Sequence, residues 1–113
     1  IHSSRGYTRD GRIKPDLAAP GVDVYGPGIS SVPGDFPYTR MTGSSIAAAH
    51  VAGAAACLYS WGYVKGNEPS INSRSIKAYL TLGADRIASY RYPNPEWGYG
   101  MLNLYQSFLA MRE

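Results

Sequence analysis

Residues 43–53 read Gly43-Ser44-Ser45-Ile46-Ala47-Ala48-Ala49-His50-Val51-Ala52-Gly53, and the run stays apolar through Cys57, Leu58 and Tyr59. From Ser45 to Trp61 there are seven alanines, with Gly43-Ser44-Ser45 as the start signal and Gly62 as the stop. The spacing predicts an α-helix of about 16 residues, about 24 Å long at 1.5 Å per residue. Its first three turns hold almost nothing polar except His50, and a helix apolar all round belongs in the middle of a domain. Its side chains are also small, and Gly53 sits mid-helix although that costs about 1 kcal/mol against alanine. Close packing on nearly every side is therefore expected. Cys57, flanked by alanines and Leu58, reads as one more small buried residue.

Upstream, Tyr38 to Thr42 is β-rich and predicts a strand that runs into Gly43. Val22-Asp23-Val24-Tyr25 alternates, so the two segments are expected to pair as a wide hairpin. The connecting residues 26–37 carry three prolines and three glycines and form a loop. Before them, Leu17-Ala18-Ala19 reads as a very short buried strand that ends at Pro20-Gly21. Residues 1–15 are polar and turn-rich. Downstream, Asn72 or Ser73 caps a helix in which Ile76, Tyr79 and Leu80 share a face and Gly83 ends the run. Residues 84–97 read as a loop rich in Tyr, Pro and Asn. The Tyr-rich stretch 90–99 could offer a stacking surface to a ligand, but packing onto the domain is the favoured reading. A last helix runs from about Asn103 to Met111, with Leu104 and Phe108 inward.

The composition bounds what such a chain can be. It has 113 residues, 44% hydrophobic and 17% charged, which suits one folded domain and excludes disorder. No apolar run reaches the roughly 18 residues of a membrane span. Eight arginines and three lysines against eight carboxylates give a net charge of +3. The cations are scattered, so neither nucleic acid nor a membrane is an expected partner. Cys57 is the only cysteine, which excludes an internal disulfide and a cysteine-built metal site. Two short strands and two amphipathic helices cannot cover a central helix all round. The missing cover must come from another segment, and the opening Ile1 fits a piece of something longer.

The strand, glycine turn, serine and helix place the Ser45 hydroxyl at a helix N-terminus, beside backbone N–H groups with no helical partner. Those amides and the positive end of the helix dipole can hold a developing oxyanion, which a nucleophilic serine requires. The alternative is that Ser44 or Ser45 simply caps the helix, as serines at such junctions usually do. The pattern alone leaves both readings open.

The run from Gly43 to Leu58 resembles the serine signature of the subtilisin-like peptidases, the subtilases, whose pattern is G-T-S-M-A-x-P-H-V-A-G. Ser3-Ser4-Arg5-Gly6 and Asp10-Gly11-Arg12-Ile13-Lys14-Pro15-Asp16-Leu17-Ala18-Ala19-Pro20-Gly21 resemble the family's S-S-R-G…D-G-R-I-K-P-D-x-x-A-P-G stretch. Trp97-Gly98-Tyr99-Gly100-Met101-Leu102-Asn103 is similar to its Y-G-x-G-x-x-N end. These stretches lie in the family's order along nearly the whole chain. Ser44 stands where the family usually has threonine. Ala49 stands where it has proline before His50, which loosens the first turn but leaves Ser45 in place.

The resemblance implies an α/β fold: the C-terminal portion of a three-layer domain with a parallel sheet and helices on both faces. Residues 1–113 would be one segment of a single catalytic domain, here a short strand, a β-hairpin and three helices. It implies that Ser45 is the nucleophile of a serine endopeptidase, with its own backbone N–H in the oxyanion hole. The triad Asp and His and the oxyanion Asn lie upstream in the family and would not be in this chain. The implied partners are the missing N-terminal part and a peptide or protein substrate. Alone, the segment is expected to be inactive. No cofactor is implied for this chain, calcium is common in full domains of the family, and secretion or the cell surface is the usual compartment. The competing reading is a non-catalytic subtilase-like fold that binds or regulates partners.

Other titratable residues suit structural roles better. His50 follows Ser45 by five residues, about 500° around a helix, so the two side chains do not share a face. The family's histidine at this position is structural. His2 lies in the polar opening and reads as a surface residue. Asp16 and Asp23 match positions where the family has structural or loop residues, not the triad acid.

Overall fold

The structure is a computed structural model that describes residues 3–29, 34 and 37–112; His2 lies outside the described residues. Strand β1 (Val24–Pro27) pairs antiparallel with β2 (Tyr38–Met41), with Tyr25 opposite Arg40. Helix α1 (Ser44–Tyr59) follows at once and runs into a π-helical turn, Ser60–Val64. Helices α2 (Ser73–Leu82) and α3 (Leu104–Arg112) complete the order.

The hairpin forms as the alternation predicts, but β1 starts two residues late. Asp23 adopts a left-handed backbone, φ 50°, and its amide donates to the Thr42 hydroxyl at 3.0 Å. That side-chain bond takes the place of a ladder rung, so regular pairing begins only at Val24. Arg40 lies 4.7 Å from the centre of the Tyr25 ring, a cation–π contact across the strand pair.

The short strand expected at Leu17–Ala19 is instead a single parallel bridge between Ala18 and Met101. The Ala18 amide donates to the Gly100 carbonyl at 2.9 Å, and the Leu102 amide donates to the Ala18 carbonyl at 2.7 Å. The ladder stops there because Gly98 (φ 59°) and Gly100 (φ 129°) turn the chain out of extended geometry. A side chain on Gly98 would also collide with the backbone of Pro15 and Asp16.

The core lies on one side of α1. Ala54 and Leu58 from that helix, Ile71, Leu80 from α2 and Met111 from α3 are buried together, with Trp61, Ile76 and Phe108 packed against them. Burying a side chain such as Leu58 fully contributes about 2–3 kcal/mol. Trp61 meets Phe108 edge-to-face, with ring centroids 6.2 Å apart. The expected stop at Gly62 does not occur. Gly62 is buried inside the π-helical turn, where a Cβ would sit 3.0 Å from Met111 Cε and 3.1 Å from Ile71 Cδ1. Its missing side chain lets those two residues close over the turn, and the chain reverses instead at Gly66, φ 76°.

Helix α2 begins where expected. The Asn72 side chain accepts from the Ser75 amide at 3.0 Å, and the Ser75 hydroxyl accepts from the Asn72 amide at 2.9 Å, a reciprocal capping box. Tyr79 donates to Glu68 Oε1 at 2.7 Å and ties the preceding loop to the helix. That bond to the carboxylate, aided by burial, raises the Tyr79 hydroxyl above its ordinary pKa. At α3 the Asn103 side chain accepts from the Gln106 amide and donates to the Asp85 carboxylate. The loop before it is packed: the Tyr92 hydroxyl accepts from the Ile87 amide, and Asn94 accepts from the amides of Glu96 and Trp97.

One expectation fails for the opposite face of α1. Ala48, Ala49, Ala52, Gly53, Ala56 and Cys57 are exposed, so the helix is covered on one side only and Cys57 is not buried. Among the described residues, the buried core packs only against the Ala54 and Leu58 side of the helix.

Candidate active site

Strand β2 delivers the chain into Thr42-Gly43, and α1 starts at Ser44 with Gly43 in extended conformation at the N-cap. No side chain caps this helix. The Gly43 carbonyl accepts from the Ile46 amide at 3.1 Å and from the Ala47 amide at 3.4 Å. The amides of Ser44 and Ser45 have no acceptor among the described residues. The Ser45 side chain is exposed and likewise has no hydrogen-bond partner among them. The capping alternative is thus not the one adopted: a free hydroxyl stands beside two unpaired amides at the positive end of a 16-residue helix.

The turn is braced from behind. The Gly43 amide donates to the Gly21 carbonyl at 2.8 Å. A Cβ on Gly21 would lie 2.9 Å from the Gly43 carbonyl oxygen and 3.4 Å from Ala47 Cβ, so glycine is what permits this approach. In the sequence, Pro20-Gly21 marks the end of a short apolar run and belongs to the A-P-G motif. Its position in the A-P-G part of the motif was the available signal for this second role.

The other candidates stay apart from Ser45. His50 is half-buried, and its Nδ1 lies 3.0 Å from the Ile46 carbonyl oxygen of its own helix. That contact holds the ring along α1 and suits the structural role. Asp16 is paired with two lysines, 2.7 Å from Lys14 Nζ and 3.0 Å from Lys77 Nζ. Partial burial raises its pKa, but the hydrogen bonds and charges of the two lysines outweigh that and hold the carboxyl below the usual range. Asp23 is exposed in the turn before β1. None of these residues forms a proton relay to Ser45.

Residues 2–100 match the model of the subtilase family, peptidase S8. The chain belongs to the subtilase family. Among its relatives, pyrolysin of Pyrococcus furiosus is 34% identical over 97% of this chain and 8% of its own length. Bacillopeptidase F of Bacillus subtilis is 30% identical over 89% of this chain and 7% of its own. The solved structure of the Clostridium perfringens CspB protease superposes with a TM-score of 0.82 at 37% identity, covering 96% of this chain and 23% of that one. The fold is therefore that of part of a subtilase α/β domain, and the chain spans only a small share of the proteases it matches.

Among the described residues of this subtilase segment, no group of three or more His, Cys, Asp or Glu side chains is placed to hold a metal ion. No helix among them is long and apolar enough to cross a membrane.

Proposed function

We propose that this chain carries the nucleophile of a subtilisin-like serine endopeptidase, and that the nucleophile is Ser45. The observation that supports this most strongly is the free, exposed Ser45 hydroxyl at the uncapped start of α1. A stabilising serine would have turned that hydroxyl onto an amide.

In the reaction, Ser45 Oγ attacks the carbonyl carbon of the substrate peptide while a histidine from the rest of the domain takes the hydroxyl proton. Charge develops on the former carbonyl oxygen, and the Ser45 amide donates to it together with an asparagine from the same remainder. The intermediate collapses to an acyl-enzyme as the histidine returns its proton to the departing amine. Water then hydrolyses the ester by the reverse sequence of proton transfers. The Ser-His-Asp scheme is known from subtilisin itself and is applied here by family membership.

Residues 1–113 would then be the C-terminal segment of one catalytic domain. The small share of each relative that the chain spans supports this, as does the exposed alanine face of α1, which fits a cover from the remainder. Secretion or display at the cell surface is the compartment that the family implies.

The test is labelling of the full-length protein with a fluorophosphonate, which forms a covalent adduct only with an activated serine. Labelling at Ser45 that is lost in Ser45→Ala supports the peptidase. A well-folded full-length protein that does not label is instead a non-catalytic subtilase relative acting as a binding or regulatory protein.

A further inference from the structure

A polar concavity elsewhere in the fold has no residue of the serine turn in its lining. A cavity of about 370 Å³ opens between residues 13–16 and α2, with Lys14, Asp16, Arg74, Lys77 and Tyr99 among its lining residues. Asp16 is the only acidic group in that lining, and both of its oxygens are already engaged, by Lys14 at 2.7 Å and by Lys77 at 3.0 Å. The cavity therefore keeps a net charge of +2 after its internal ion pairs are counted. Arg74 makes no ion pair or hydrogen bond through its side chain among the described residues, and neither does the Tyr99 hydroxyl. A guanidinium fork of five donors, a phenol and the remaining ammonium protons are thus available in one concave site. Ile13 and Ala78 supply apolar wall, which strengthens the field there relative to a flat wet surface.

We propose that this cavity binds a small dianionic oxyanion group, a phosphate or a dicarboxylate, with Arg74 as the bidentate donor and Lys14 and Lys77 flanking it. A planar guanidinium matches two oxygens of either group, and the two lysines balance the second charge. The volume is within the range of small-ligand sites, which begin near roughly 300 Å³. The other cations are scattered along the sequence and not clustered, so a compact anion suits the site better than a polyanionic backbone.

The experiment uses the full-length protein, titrated with inorganic phosphate and with succinate against chloride at matched ionic strength. Calorimetry and thermal melting are the readouts. Saturable binding of at least one oxyanion is expected, with a rise in melting temperature that chloride does not reproduce. Arg74→Gln is expected to weaken binding about tenfold or more, the usual size for losing charge-assisted hydrogen bonds. It should leave melting in chloride unchanged, because the Arg74 side chain holds no hydrogen bond or ion pair among the described residues. Arg74→Lys keeps the charge but loses the fork and should fall between the two. Preference for phosphate identifies a phosphorylated ligand, and preference for succinate a carboxylate one. A non-saturating response, an equal response to chloride, or unweakened binding in Arg74→Gln overturns the proposal. Binding is read without turnover, so the outcome does not depend on whether Ser45 is catalytic.

Discussion

Helices α1 and α2 begin in opposite ways. At α2, Asn72 and Ser75 exchange side-chain bonds with each other's amides, and the first turn is closed. At α1, two serines stand at the first two positions, yet Gly43 is the cap and neither hydroxyl is spent on the backbone. Glycine caps less well than serine, asparagine or aspartate, so leaving this end open forgoes a few tenths of a kcal/mol. The α2 start serves stability; the α1 start keeps donors and a hydroxyl free for something outside the helix.

The largest effect that can break this contrast is at Ser45. Ser45→Ala in the full-length protein is expected to lower kcat by about a million-fold, a magnitude carried over from subtilisin itself, with the melting temperature nearly unchanged. A mutant that keeps a tenth of the activity would rule Ser45 out as the nucleophile. Next comes Gly43→Asp, which gives α1 the cap it lacks. The nearest atom to a Cβ on Gly43 is the Ser45 amide nitrogen at 4.0 Å, so the side chain has room. Its carboxylate would occupy the amides and put negative charge where the oxyanion forms. We expect stability to rise by a few tenths of a kcal/mol while kcat falls about 100-fold. Chemical denaturation and peptidase assays on the same preparation would show whether the two move in opposite directions.

The mirror experiment is Asn72→Ala. It should cost about 1 kcal/mol by denaturation and leave kcat and KM unchanged. The smallest effect concerns the anchoring of α2 through Lys77 and Asp16. Because the folded-state pKa of Asp16 is depressed, its contribution is present above the ordinary aspartate value and is lost as pH falls through the folded one. Asp16→Asn is therefore expected to cost no more than about 1 kcal/mol near neutrality, shrinking toward zero in acid. Denaturation curves at pH 7 and near pH 3 would check the sign.

The local rules were legible where one interaction decides the outcome. The hairpin, a cap at Asn72 or Ser73, the C-cap at Gly83 and the serine at the head of α1 all follow from residue type and spacing. The errors came where a distant partner overrides local preference. Gly62 reads as a stop, but Ile71 and Met111 use it as packing space. Val22 and Asp23 read as strand, but Thr42 takes the Asp23 amide first. Cys57 reads as buried because its local neighbours are apolar, but it is exposed in an open depression that it shares with Trp61 and Phe108. At the site, Ser45 was legible from the motif. The role of Gly21 was not, because it rests on a contact 22 positions away along the chain.

The bond from the Gly43 amide to the Gly21 carbonyl lies at the root of the hairpin, with β1, β2 and their connecting loop all distal to it. It works as a hem: it holds the serine turn at a point that the strands and their connection do not share. Insertions and substitutions between residues 26 and 37 should thus be tolerated far better than a single added methyl at Gly21, whose Cβ would meet the Gly43 carbonyl oxygen at 2.9 Å.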